Sequence, residues 1–310
     1  MILERLSYEE KGVFLQTLHT GVVLVYLGVL CVLALLFSHP LYLTGIFILG
    51  ALAVIVSEAV EKWEMYLRMG IWMALLIMII NPLVFRTGKT VLWHGPTVPV
   101  LGKLDICLEA ICYGAAMGIR LLAVLTVFCL YNAVVHPDKI LSLFARYAYK
   151  SALVVSLATR MLPAVARDLA NAREVQQLRG VDYGSGSLRE RVRKHSWLLN
   201  IVLSSSLERA LQVAEAMQAR AFGTGPRSCY RRELRRPRDL LCFTAGILAL
   251  LFSLLAKFKG YGDYTYYPQM GKLVESSSSV IWLGIILISL SLPVVLSWGW
   301  KHCPYLRSKI

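Results

Sequence analysis

Apolar positions along this chain come in blocks and do not alternate. Six runs, Gly21–Phe37, Leu41–Ser57, Met65–Phe85, Ile106–Asn132, Leu240–Ala256 and Val280–Trp298, are nearly uninterrupted. Each has about the 17 to 25 residues a helix needs to cross a hydrocarbon layer. The pattern predicts an all-α polytopic membrane protein with about six transmembrane helices. Only Ser38-His39-Pro40 joins the first two blocks, so they form a hairpin. The first block starts about twenty residues in, with no clear small-residue cleavage site behind it, and reads as a retained helix and not a signal peptide. Asn81-Pro82 falls near the outer end of the third block, as a helix terminator would.

Between the fourth and fifth blocks the period changes. From Ser151 an apolar stripe runs Leu153, Leu157, Met161, Val165, Leu169, Ala172, Val175, the spacing of one helix face. Arg160, Arg167, Arg173 and Glu174 lie off this stripe and Asp168 intrudes on it. A second stripe runs Leu203, Leu207, Leu211, Ala214, Met217, flanked by Glu208, Arg209 and Glu215. Both helices are expected to rest one side on apolar surface. Pro163, inside the first, predicts a kink or break.

The two helices also end alike. One reads Glu174-Val-Gln-Gln177-Leu178-Arg179-Gly180, the other Glu215-Ala-Met-Gln218-Ala219-Arg220-Ala221, an offset of 41 residues. Glu precedes Arg by five residues, Gln by two, and a small residue comes after it. Behind each stands a glycine-bearing stop: Gly180 with Gly184 and Gly186, then Gly223 with Gly225-Pro226. A single arginine at a helix end reads first as a cap on unpaired carbonyls. Two, with matched Glu and Gln offsets, point instead to a pair of plugs for a partner with two equivalent sockets. Arginine suits that role because its planar fork holds a carboxylate with two bonds.

Charge fixes the expected orientation. Residues 136–238 carry 19 Lys and Arg against 8 Asp and Glu, a net +11 within the chain's formal +14. Such a segment belongs in the cytoplasm. With four crossings of the cell membrane before it and two after it, both termini are expected in the cytoplasm as well, and Lys301, Arg307 and Lys309 agree. The chain thus divides into three regions: 1–135 with four spans, the cytoplasmic 136–238, and 239–310 with two spans. The cluster Tyr230–Asp239, directly before a span, reads as a membrane-lipid contact, and no nucleic acid is inferred. At 57% hydrophobic and 17% charged residues, the chain lies well outside the soluble range. Its seven cysteines and six histidines show no ligand spacing, so no metal site and no cofactor are implied.

From Met65 to Asp239 the sequence resembles the transmembrane T component of energy-coupling factor (ECF) transporters, the CbiQ/EcfT family. The resemblance rests on Asn81–Trp93, Glu109–Leu125, His136–Tyr147, Ser156–Leu169 and the two arginine phrases. Members carry two Ala-Arg-Gly-type motifs at the ends of cytoplasmic coupling helices. Here these are Leu178-Arg179-Gly180 and Ala219-Arg220-Ala221, with Leu for Ala in the first and Ala for Gly in the second. The resemblance implies a non-catalytic subunit of a vitamin or metal-ion importer. Two ABC-type ATPase subunits would each receive one coupling helix, and a membrane S component would bind the substrate. Arg179 and Arg220 would anchor the helices, with Glu174, Gln177, Glu215 and Gln218 supporting them.

Other signals in the chain bear on this reading. Thr87–Thr90 has the ending of a phosphate-binding loop, but Leu83 stands where that loop needs glycine. The chain is therefore not expected to hydrolyse ATP itself. Arg120, near the middle of the fourth block, is expected to bond backbone carbonyls or polar groups within the bundle; a role in transmitting motion is the alternative. Glu58, Glu61 and Glu64 are the nearest approach to an acidic cluster, with Lys62 and Arg68 close enough to pair with them. A lipid- or isoprenoid-modifying membrane enzyme would need a denser cluster. A stand-alone permease would leave the arginine phrases unexplained.

Overall fold

The structure, a computed structural model, describes residues 11–84, 90–98, 102–145, 148–184, 187–225, 236–268, 270–273 and 277–302. It divides into two compact units, Met1–Lys139 with Glu233–Ile310, and Ile140–Arg232.

The first unit is a helical bundle. After a short α1 (Phe14–Thr17), helices α2 (Thr20–Leu36), α3 (Pro40–Val56), α4 (Val60–Val84), α5 (Leu108–Val134), α9 (Pro237–Phe258) and α10 (Ser277–His302) follow the six apolar blocks closely. By length and composition α4, α5, α9 and α10 suffice to cross a membrane, whereas α2 and α3, of 17 residues each, are shorter apolar helices. Each of the short pair is started by a histidine: His19 Nδ1 accepts from the Gly21 amide at 3.1 Å, and His39 Nδ1 from the Leu41 amide at 3.3 Å. These imidazoles satisfy amides that a helix start leaves without partners.

Helix α5 is central, packing on α2, α3 and α4. Its approach to α4 depends on small residues. A Cβ at Gly114 would stand 3.0 Å from Met78 Cα, and one at Gly118 would stand 3.1 Å from Ala74 Cβ. Gly70 gives the same closeness from α4, against Leu122 and Leu125. Between apolar helices in lipid, such backbone proximity supplies the dispersion contact that the hydrophobic effect does not. Helix α10 is tied to α2 by the Tyr26 hydroxyl on the Leu290 carbonyl (3.1 Å), and to α9 by Ser289 on the Ala245 carbonyl (3.0 Å).

Two expectations change. Pro82 does not end the third block but lies buried within the last turn of α4, which runs on to Val84. Between α4 and α5 the chain forms an antiparallel hairpin, β1 (Val91–Val98) with β2 (Gly102–Cys107), an element that the reading as all-α did not include. Its register is irregular between His94 and Thr97, where Gly95 and Pro96 lie; proline has no amide to give a ladder.

The second unit holds α7 (Tyr149–Leu178) and α8 (Leu188–Ala219), which pack on each other; a short α6 (Pro137–Phe144) precedes them. Helix α7 is not broken at Pro163 but continues for 30 residues. The second predicted stripe is rotated from its expected place. Leu203, Leu207 and Leu211 stay exposed, with Leu207 at 67%, while Leu198 and Val202 are buried. Helix α8 has apolar residues on two adjacent faces, and the pattern alone does not say which one meets α7.

Candidate functional site

Both arginine phrases end their helices by the same hydrogen bonds. At the end of α7 the Val181 amide donates to the Gln176 carbonyl at 3.0 Å, and the Gly180 amide to Gln177 at 3.0 Å. At the end of α8 the Phe222 amide donates to Met217 at 3.0 Å, and the Ala221 amide to Gln218 at 2.9 Å. This is the Schellman closure, in which the residue after the cap turns left-handed. Gly180 does so at φ +85° and Ala221 at φ +54°. Glycine adopts that conformation freely, whereas an L-residue pays about 1 to 2 kcal/mol. The Ala-for-Gly departure therefore costs strain without changing the shape of the turn.

Arg179 (φ −82°, ψ 8°) and Arg220 (φ −87°, ψ 13°) occupy the matching cap position. Backbone amides close each helix, so the guanidinium groups are not needed for that work. Both arginines are exposed, and among the described residues neither guanidinium has a hydrogen-bond or ion-pair partner. Leu178 beside the first is 83% exposed, and Ala219 beside the second is exposed as well. Glu174, Gln177, Glu215 and Gln218 are exposed too. The structure thus presents two similar tips: a cationic fork free among the described residues, a small or apolar neighbour, an amide two residues back and a carboxylate five residues back.

The connector after Arg179 is fastened to α8. Tyr183 is buried, its ring between the Arg173 guanidinium (5.8 Å) and the His195 ring (5.4 Å). Lys194 Nζ donates to the Asp182 carbonyl at 2.6 Å, and Arg191 to the Gly184 carbonyl at 2.5 Å. Ser187 and Glu190 then start α8 with a reciprocal capping box. Sequence reasoning did not find this staple. The spacing of Arg191, Lys194 and His195 on one face of α8 was its only trace.

Comparison with known proteins places the chain. The CbiQ family, described as "Cobalt transport protein", matches residues 12–230. The chain belongs to the CbiQ family. Among its relatives, an "Energy-coupling factor transporter transmembrane protein EcfT" of Streptococcus thermophilus is 36% identical over 126 residues, 40% of this chain and 47% of that protein. One of the same name from Thermosediminibacter oceani is 26% identical over 175 residues, 53% of this chain and 66% of that protein. The chain thus spans less than two thirds of either. A "Putative ABC transporter ATP-binding protein BL0043" of Bifidobacterium longum is 24% identical over 188 residues, 57% of this chain but only 23% of that protein. With the apolar helices, these relatives make the chain a membrane protein of a transport family.

The CbiQ match includes both helix ends and Arg120. On α5 Arg120 Nη2 donates to the Phe37 carbonyl at 2.8 Å, and Asn132 Nδ2 donates to the Tyr66 hydroxyl at 3.0 Å. Phe37 caps the short helix α2, whose last carbonyls lack intrahelical partners. Lys257 Nζ takes the Leu36 carbonyl at 2.8 Å, and the Tyr266 hydroxyl takes that of Ser38 at 2.9 Å. The α2–α3 turn is thus held by two cations and a tyrosine. Arg120 also lines a mostly apolar cleft of about 470 Å³ with Leu35, Ile77 and Asn81.

Of the acidic trio, Glu64 pairs with Arg68 at 3.0 Å as expected, whereas Glu58 pairs with Lys301 of α10 at 2.6 Å. Lys301's hydrogen bond and charge hold the Glu58 carboxyl below its usual range. Among the described residues no three His, Cys, Asp or Glu side chains gather as a metal site requires. Thr90, the last residue of the phosphate-loop lookalike, gives both its amide and its hydroxyl to Glu109. Thr87 to Lys89, most of the basic cluster (Tyr230–Arg235), and the tail residues Arg307 and Lys309 lie outside the described residues.

Proposed function

We propose that this chain is the energy-coupling T subunit of an ECF-type ABC importer. In this reading Arg179 and Arg220 enter matching grooves on two cytoplasmic ABC-type ATPases. The observation that carries it is the pair of equivalent helix ends, each closed by its own backbone and each left with an exposed, unpaired guanidinium. A capping arginine would be spent on its own carbonyls; these are not. Glu174, Gln177, Glu215 and Gln218 are the flanking contacts, and Leu178, Gly180, Ala219 and Ala221 set each tip's shape.

The Bifidobacterium relative supports an ATPase partnership, since a stretch like this chain occupies a minor part of a protein named for ATP binding. The outward ridge Leu199, Leu203, Leu207, Leu211 on α8 offers an apolar platform for a substrate-binding membrane S component. The family description, "Cobalt transport protein", favours a metal-ion cargo chosen by that component; a vitamin is the other cargo this reading allows. The basic segment and both termini then lie on the cytoplasmic side, in contact with membrane lipid headgroups. The chain itself is not the ATP-hydrolysing subunit.

The test is a detergent pull-down of the full chain with the ABC-type ATPase pair of the same genome. Wild type should recover both ATPases; Arg179→Glu with Arg220→Glu, equally expressed and membrane-inserted, should recover neither. Undiminished recovery by the double reversal sinks the plug reading.

A further inference from the structure

The offset of 41 residues that superposes Arg179 on Arg220 extends further back than the motifs. It pairs Leu157 with Leu198, Met161 with Val202, Ala164 with Ser205, Asp168 with Arg209, Ala172 with Val213 and Gln176 with Met217. All twelve are buried or half-buried, at steps that keep to one face of each helix. Helices α7 and α8 therefore turn equivalent faces inward. Such a contact is isologous, and its two-fold axis passes where a position meets its own equivalent. That meeting occurs at Asp168 and Arg209: Arg209 Nη2 donates to Asp168 Oδ2 at 2.7 Å, and Ser205 donates to the same oxygen at 3.2 Å. The two side chains, Arg209 and Asp168, are 32% and 26% exposed. From either one, the arginine tip lies 11 residues on, about 16 Å and close to three turns away.

We propose that the Asp168–Arg209 ion pair is the pivot of a pseudo-two-fold helix pair, and a positioning pair that fixes the separation of Arg179 and Arg220. Two identical carboxylates at an axis repel, and two identical leucines tolerate slippage. Opposite charges specify one register, because a slip of one turn moves them about 5.4 Å apart. Two tips that must engage two like subunits together gain from a fixed span, since a span that does not match forbids simultaneous binding. This last step rests on the plug reading; the geometry of the pivot does not.

The experiment uses the full chain in detergent, with its native cysteines replaced and nitroxide labels at Gln177→Cys and Gln218→Cys. Pulsed electron paramagnetic resonance then reads the distance between the labels. The parent should give one narrow separation. Asp168→Arg and Arg209→Asp should each lose it to a broad distribution, and the two together should restore it. Asp168→Asn, which keeps shape and a hydrogen-bond acceptor, should broaden it less and serves where a reversal fails to yield monodisperse protein. A narrow peak in the monodisperse single variants, or a swap that stays broad, overturns the pivot. The same variants are carried through the ATPase pull-down. If the parent binds no ATPase, the plug reading falls while the label distances still decide the pivot.

Discussion

The ends of α7 and α8 are made by the same backbone hydrogen bonds but supported differently. The α7 end turns on glycine and runs into a connector whose carbonyls and aromatic ring are gripped by Arg191, Lys194, His195 and Arg173. The α8 end turns on a strained alanine, and just beyond it the Thr224 hydroxyl (2.8 Å) and amide (3.3 Å) both donate to the Ala221 carbonyl. Closing a helix and anchoring the chain beyond it are thus separate tasks. Among the described residues the first is duplicated and the second is seen only after α7.

The sharpest way to break the equivalence is to reverse one arginine at a time. If the tips fill like sockets, Arg179→Glu and Arg220→Glu should each lower ATPase recovery by at least about tenfold, the loss of a charge-assisted contact and its replacement by repulsion. A tenfold loss at one tip with none at the other would show the sockets to be unlike. Next comes the staple. Tyr183→Ala should raise amide hydrogen exchange in residues 179–184 by roughly ten- to a hundredfold, from lost burial and cation–π contact, leaving residues 220–225 unchanged. Equal loosening at both ends would contradict the asymmetry.

Exchanging the turn residues probes a smaller difference. Ala221→Gly should stabilise the α8 end by about 0.5 to 1 kcal/mol by relieving left-handed strain, and Gly180→Ala should cost the α7 end about as much. No atom stands within 4 Å of a Cβ at Gly180, so backbone conformation alone sets that cost. Exchange rates of the last helical amides measure both. The smallest effect lies in the other unit and serves as a control. The carboxyl of Glu58 is held low by Lys301, so its contribution is present above the ordinary carboxylate range and fades as pH falls through the lowered folded value. Being exposed, it should shift the acid limb of thermal unfolding by well under about 1 kcal/mol, and Lys301→Gln should remove that shift.

How much the sequence disclosed depends on the range of the forces involved. Apolar block length places the membrane helices to within a few residues, because transfer to lipid is a sum over the segment itself. The α7 end was legible for the same reason, since Gly180 acts within one turn; at the α8 end the closing turn falls on Ala221, two residues before the expected Gly223. Contacts between distant segments were not. Asp168 read as an intruder on an apolar stripe until Arg209 met it, and Leu203 looked inward because α8 has a second apolar face at Leu198 and Val202. The β1–β2 hairpin was missed since its pairing satisfies backbone groups and asks little of the side-chain pattern.

The turn after α2 has a consequence for how the protein is built. Leu36 and Phe37 are made early, yet their carbonyls are satisfied by Arg120 and by Lys257, the latter 221 residues further along. Where such a carbonyl lies within the bilayer, leaving it unpaired costs several kcal/mol, so the first hairpin is expected to reach its final place only after those two cations have been made. The thiol of Ser38→Cys should stay open to a water-soluble reagent in chains truncated before Lys257 and become protected in longer ones; equal protection in both would refute this order. By this order the earliest hairpin would be the last to settle, once the ninth helix has been made.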